Sequence, residues 1–219
     1  MIRNRLAALM AERRLKITRV AKDTGISRNT ITSISQNDSE MFRMETINNL
    51  CKYLGVTPCE FFDYEPIDIE FTYFLNELHF DYTHGLTNSK VEFEILLVDI
   101  DILMDVYKNN NNQARTFDLN CFLHEEPHDL TDFYDLTVDF ENNDAKNTFV
   151  TEIYEKINPA FHQDIYTKLF IELSNEIRKY LVENFENNSQ PNSNSKEDFL
   201  QVVNNLYLGQ IHSDVFKKF

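Results

Sequence analysis

The sequence predicts two parts of different class. A small all-α head over residues 1–64 precedes a larger α+β body over residues 65–219, in which an antiparallel sheet is followed by helices. Three observations carry this. Between Ile17 and Gln36 the apolar positions follow a helical period broken once by Gly25. After Pro66 the pattern changes to alternation with period two, and from Asp144 it lengthens again. Charge divides at the same place: residues 1–64 hold 10 Lys+Arg against 7 Asp+Glu, and residues 65–219 hold 11 against 29, in a chain of net charge −15.

The head is most specific at I-T-R-V-A-K-D-T-G-I-S-R-N-T-I-T-S-I-S-Q, residues 17–36. Ala21 lies four residues before Gly25, and a tight crossing of two helices needs a small residue on the first. Gly25 suits the turn because it accepts positive φ at little steric cost. Ile31 and Ile34 give the second helix an apolar face at i, i+3. Ser27 stands where a side chain can cap that helix, and Arg28, Asn29, Thr30, Thr32 and Ser33 make the rest of it polar. Residues 1–36 carry 8 Lys+Arg against 2 Asp+Glu, a balance suited to a polyanion.

Residues 2–62 resemble the Cro/repressor-type (Xre) helix-turn-helix family. Beyond the corner, I-R-N-R-L-A-A-L-M-A-E-R-R-L from Ile2 to Leu15 resembles the family's first helix. M-E-T-I-N-N-L-C-K-Y-L-G-V-T-P-C-E-F-F, from Met44 to Phe62, resembles its fourth and short fifth helices. The resemblance implies five short helices in a lambda-repressor-like arrangement. It implies a sequence-specific regulator of transcription, repressor type and bacterial or phage, that binds double-stranded DNA. Arg28, Asn29, Thr32 and Ser33 would then read bases: Arg can engage two acceptors of guanine, and Asn the donor and acceptor of adenine. Lys16, Thr18, Arg19, Thr30, Asn37 and Arg43 would contact phosphate, which positions a protein without carrying sequence information. Ile17 stands where many members carry Gln, and Asp38 and Glu40 occupy a loop that is often basic in the family. Two linked heads would offset that weakness. A homodimer on a palindromic operator, with half-sites about 34 Å apart, is therefore expected.

The body opens with I-D-I-E-F-T-Y-F from Ile67, an alternation that predicts a half-buried strand. Val91 to about Asp99 predicts another, with the following residues readable as strand or helix. Short alternations at Arg115–Leu123 and Tyr134–Glu141 predict two more, separated by loops at Asn109–Asn112 and from Thr83. Phe149, Ile153, Tyr154 and Ile157 suggest one helix, and Ile165 through Phe185 a long second one. A polar tract from Glu186 reads as a loop, and a last helix is expected from Asp198 to about Tyr207, before an aromatic tail at Phe216–Phe219. Most of the 18 Phe and 10 Tyr are expected to pack in the core.

Catalysis is not expected. His124-Glu125-Glu126-Pro127-His128 fits the H-E-x-x-H zinc spacing, but Pro127 falls inside the turn of helix that the chemistry needs. A self-cleaving Ser and Lys pair would need a Gly-framed turn, and there are 4 Gly, with no Ala-Gly site. No metal or cofactor is expected. Cys51, Cys59 and Cys121 are odd in number and far apart, which fits free thiols in a reducing cytoplasm, with Cys51 in the core. No apolar run reaches the ~18 residues of a membrane span, and Arg3, Arg5, Glu12, Arg13 and Arg14 interrupt any signal peptide. The acidic body is expected to supply dimerisation, a signal input or a protein partner. A second reading joins a head that regulates its own promoter to an acidic body that inhibits a nucleic-acid enzyme, an organisation similar to that of some phage anti-CRISPR proteins.

Overall fold

The structure is a computed structural model that describes residues 1–37, 41–84, 91–108, 113–124, 133–188 and 193–217. The chain divides into two compact units, Met1–Pro66 and Ile67–Phe219.

In the first unit, α1 (Leu6–Glu12), α2 (Ile17–Thr24), α3 (Arg28–Ser35), α4 (Met44–Leu54) and α5 (Pro58–Phe61) surround one core. Leu6, Val20, Ile31, Leu50 and Phe61 are wholly buried there, and Cys51 belongs to the same cluster. Two strands accompany the helices: β1 (Ile2–Asn4) pairs antiparallel with β2 (Phe62–Tyr64). The expected helix over Ile2–Leu15 is therefore shorter at both ends. Asn4 sets the start, because its buried Oδ1 accepts the Leu6 N–H at 3.0 Å and turns the chain from strand into helix. At the other end Arg14 adopts a left-handed conformation (φ 54°), which no helix continues through.

The second unit is built on a five-stranded sheet in the order β3 (Ile67–His84), β4 (Val91–Lys108), β5 (Arg115–Leu123), β6 (Phe133–Phe140) and β7 (Tyr207–His212). β3 and β4 are 18 residues each and pair antiparallel, with register shifts at Leu75/Glu77 and His79/Phe80. The second half of β4, readable from sequence as strand or helix, is strand. Val98, Ile100, Ile102, Met104 and Val106 are buried at every second position, a period that a helix cannot match.

The sheet is mixed, which corrects the expected antiparallel sheet followed by helices. β7 comes after the helices and pairs parallel with β6. A parallel partner needs a long crossover, and the helices supply it. They are α6 (Asn143–Glu152), α7 (Pro159–Asn188) and α8 (Ser193–Asn204). The residues from Phe149 to Ile157 do not form one helix: α6 stops at Glu152 and a 3-10 turn covers Tyr154–Lys156. The last helix starts and ends earlier than expected, and Tyr207, read as its end, opens β7. Buried Leu206, Leu208 and Ile211 hold that strand, and the Ile211 N–H donates to the Tyr166 hydroxyl of α7 at 3.1 Å.

α7 runs for 30 residues. Phe161, Ile165, Leu169, Leu173, Ile177, Leu181 and Phe185 recur every fourth residue along it and all are buried. Its polar side guards an edge of the sheet. Lys168 Nζ donates to the Ile69 carbonyl at 2.7 Å and the Tyr180 hydroxyl to the Tyr73 carbonyl at 3.4 Å, both on edge strand β3. Aromatic rings fill the remaining core. Phe185 stacks on Phe199 at 4.0 Å, and Phe117, Phe140, Phe149 and Phe216 form a second group. No helix among the described residues is long and apolar enough to cross a membrane.

The two sheet faces differ. The face carrying Ile69, Ile102 and Leu119 is buried, whereas the opposite face exposes Glu70, Phe74, Asp101, Asp118, Phe122 and Asp139.

Candidate nucleic-acid interface

The corner between α2 and α3 is set by local chemistry. α2 ends at Gly25, which is left-handed (φ 74°, ψ 4°) and returns its N–H to the Ala21 carbonyl. Ser27 caps α3: its Oγ accepts the Thr30 N–H at 3.1 Å and lies 2.8 Å from the Thr30 hydroxyl. Val20, Ile31 and Ile34 are buried where the two helices meet, with Ala21 partly buried beside them.

With Ile31 and Ile34 turned inward, helical geometry of about 100° per residue decides what faces outward. Asn29, Thr32, Ser33 and Gln36 share the outer stripe, and Arg28 stands at its edge. Arg28 and Asn29 are exposed, and neither makes a side-chain hydrogen bond or ion pair among the described residues. Thr32 and Ser33 are half-buried, and Gln36 is exposed. Gln36 was absent from the residues singled out by sequence. Its signal was available, since it lies seven positions after Asn29 on the same face.

The positions assigned to phosphate do not form one set. Lys16 precedes α2 with an extended backbone (φ −95°, ψ 147°) and is exposed, as are Thr18 and Arg43. Arg19 donates from Nε to Asp23 Oδ2 at 2.6 Å, and the Tyr53 hydroxyl of α4 donates to the same oxygen at 2.9 Å. The Arg19 guanidinium, then Tyr53, hold the Asp23 carboxyl below the usual carboxylate range. Thr30 is tied to the Ser27 cap. Asn37 is left-handed (φ 57°), and its side-chain oxygen accepts the backbone N–H of Asn4 at 2.8 Å and the Asn4 Nδ2 at 2.6 Å. Its amide is therefore engaged within the protein. Other arginines are structural: Arg13 donates to the carbonyls of Leu54 and Leu9, and Arg5 to that of Glu60.

The arrangement is a short helix fixed from behind by apolar contacts and at both ends by hydrogen bonds, with polar side chains and flanking cations outward. Residues 5–66 match the family model of the Cro/C1-type HTH DNA-binding domain. This segment is a Cro/C1-type helix-turn-helix domain. No curated protein and no solved structure matches the chain. The helix-turn-helix domain supports a DNA-binding regulator.

The second unit brings together residues that the sequence reading kept apart. The His124 ring stacks on that of His212 at 3.7 Å, and His212 Nε2 lies 2.8 Å from Oδ2 of buried Asp135. Of the H-E-x-x-H match only His124 falls among the described residues; Glu125 to His128 lie outside them, as do Asp38 and Glu40.

Proposed function

We propose that the chain is a sequence-specific regulator of transcription, repressor type, that binds a palindromic operator in double-stranded DNA as a homodimer. Arg28, Asn29, Thr32 and Ser33 read bases, and Gln36 joins them at the far end of the stripe. Lys16, Thr18, Arg19 and Arg43 contact phosphate, Arg19 through the guanidinium nitrogens that Asp23 leaves unused. Thr30 and Asn37 serve the same site indirectly, by holding the two ends of α3. The observation that carries this reading is the pair Arg28 and Asn29, without partners among the described residues, in the first turn of a helix held from behind. A helix already fixed in place forfeits little backbone entropy when its side chains meet a base. This reading assigns no catalytic group and no cofactor, and it places the protein inside the cell with its DNA.

Footprinting of the intact protein on the promoter of its own gene tests the proposal. A protected site with two-fold symmetry is expected, lost in the double variant Arg28→Ala, Asn29→Ala. Protection that is unchanged in that variant, or that covers all sequences equally, would remove the basis for sequence-specific reading by α3.

A further inference from the structure

The outward face of the five-stranded sheet is a surface without a partner in the described fold. Register brings Glu70 opposite Asp105, Leu103 opposite Asp118, and Asp101 between Phe74 and Asn120. Asp99 and Asp139 extend the same face. Among the described residues no Lys or Arg pairs with Glu70, Asp99, Asp101, Asp105, Asp118 or Asp139. Glu70 and Asp105 are directly opposed like charges, which weaken a sheet until a cation arrives from outside. The face is not purely polar. Phe74 is 49% exposed and Phe122 40%, and a depression of about 200 Å³ lies against Phe74, Asp101, Leu103, Asp118 and Glu141.

Exposed groups of the first unit complement it in both respects. The helix-turn-helix unit carries Lys16, Lys22, Arg28 and Arg43, all exposed, and beside Arg43 stand Met41 and Met44, exposed to 91% and 81%. Thioethers pack well against aromatic rings, and a depression of that volume accepts one long side chain. We propose that the acidic sheet face binds the basic helix-turn-helix surface of a second copy of the chain, Met41 or Met44 seating against Phe74. Four strands over eight residues span roughly 15 by 25 Å, a small patch that fits a weak, reversible contact. Opposed charge of this kind steers association and is screened by salt. A head so occupied cannot also admit a duplex, so operator and second copy compete. That consequence rests on the DNA-binding reading above; the contact itself does not.

The test mixes equal amounts of ¹⁴N- and ¹⁵N-labelled full-length protein at about 20 mM and about 500 mM salt. Sedimentation gives the association, and carbodiimide crosslinking with mass spectrometry gives the contacts. Expected at low salt are crosslinks between copies of different label joining Asp101, Asp105 or Asp118 to Lys16 or Lys22, lost at high salt. The variant Asp101→Asn, Asp105→Asn, Asp118→Asn should weaken the salt-dependent association at least tenfold, and Phe74→Ser should do so with no change of charge. Salt-independent association that these variants leave alone overturns the proposal, as do sheet-to-head crosslinks confined to one label. So does displacement of the second copy by an equal concentration of pancreatic ribonuclease, a foreign basic protein. Failure of operator binding alone, with these crosslinks present, removes the DNA-binding reading and leaves the contact standing.

Discussion

Asn4 and Asn37 meet side chain to side chain at 2.6 Å, and between them they fix the end of the helix that faces outward. The same Asn4 amide donates at 2.6 Å to the Ile34 carbonyl in the last turn of α3, and that carbonyl also accepts the Asn37 N–H at 3.1 Å. Asn4 is 3% exposed, so neither group has water as a substitute.

Replacing Asn4 with Ala should therefore cost about 2–3 kcal/mol of stability, because it leaves buried groups unsatisfied. Asn37→Ala adds the strain of a left-handed Ala, whereas Asn37→Gly removes that strain and loses the side-chain bonds alone. Urea unfolding should rank the two Asn37 variants Gly above Ala. The opposite order would show that the left-handed backbone at position 37 is not what costs the Ala variant its stability.

Arg28→Ala and Asn29→Ala should each weaken operator binding by roughly 1–3 kcal/mol and relax sequence preference at one base position, with unfolding midpoints unchanged. Gln36→Ala should do the same at a position further along the half-site. Lys16→Ala should weaken binding to all sequences alike and lower the salt slope by about 1. Anisotropy titrations on operator and scrambled duplexes at several salt concentrations separate these outcomes.

Acid should loosen the link between α2 and α4. Asp23 has its carboxyl lowered in the folded protein, by Arg19 first and Tyr53 second. A depressed folded value contributes stability above the ordinary carboxylate range and loses it as pH falls through the folded value. The expected observation is a stability difference between wild type and Asp23→Asn that is present at neutral pH and closes on acidification. A difference that stays constant down to pH 2 would show that Asp23 is not the titrating group.

The three thiols should separate by accessibility. Cys59 is exposed, while Cys51 and Cys121 are buried, and burial pushes the Cys121 thiol up to about 12. Alkylation of native protein at pH 8 should modify Cys59 alone, with Cys51 and Cys121 reacting after denaturation, as mass spectrometry of peptides would record. Rapid native labelling of Cys121 would mean that the sheet opens on the labelling timescale.

The head was legible in its sequence because its decisive interactions are local. Gly25 at the turn, Ser27 at the cap and Ile31 with Ile34 on one face lie within a few residues of the groups they serve. The exposed stripe on α3 then follows from the helical period, Gln36 included. Much of the body's early strand pattern was legible for a similar reason, since alternation is a property of consecutive residues.

What the tertiary structure decided is long-range. The strand β1 owes its place to Phe62–Tyr64 and to Asn4, whose partners Ile34 and Asn37 lie about thirty positions away. The final strand pairs with β6, more than sixty residues upstream, and its short alternation resembles a helix end until Tyr166 and the sheet are present to hold it. Asp135 and His212 are likewise joined only by that parallel pairing. Local period selects helix or strand; which strand lies beside which depends on what else each can bury, and a linear pattern does not carry that.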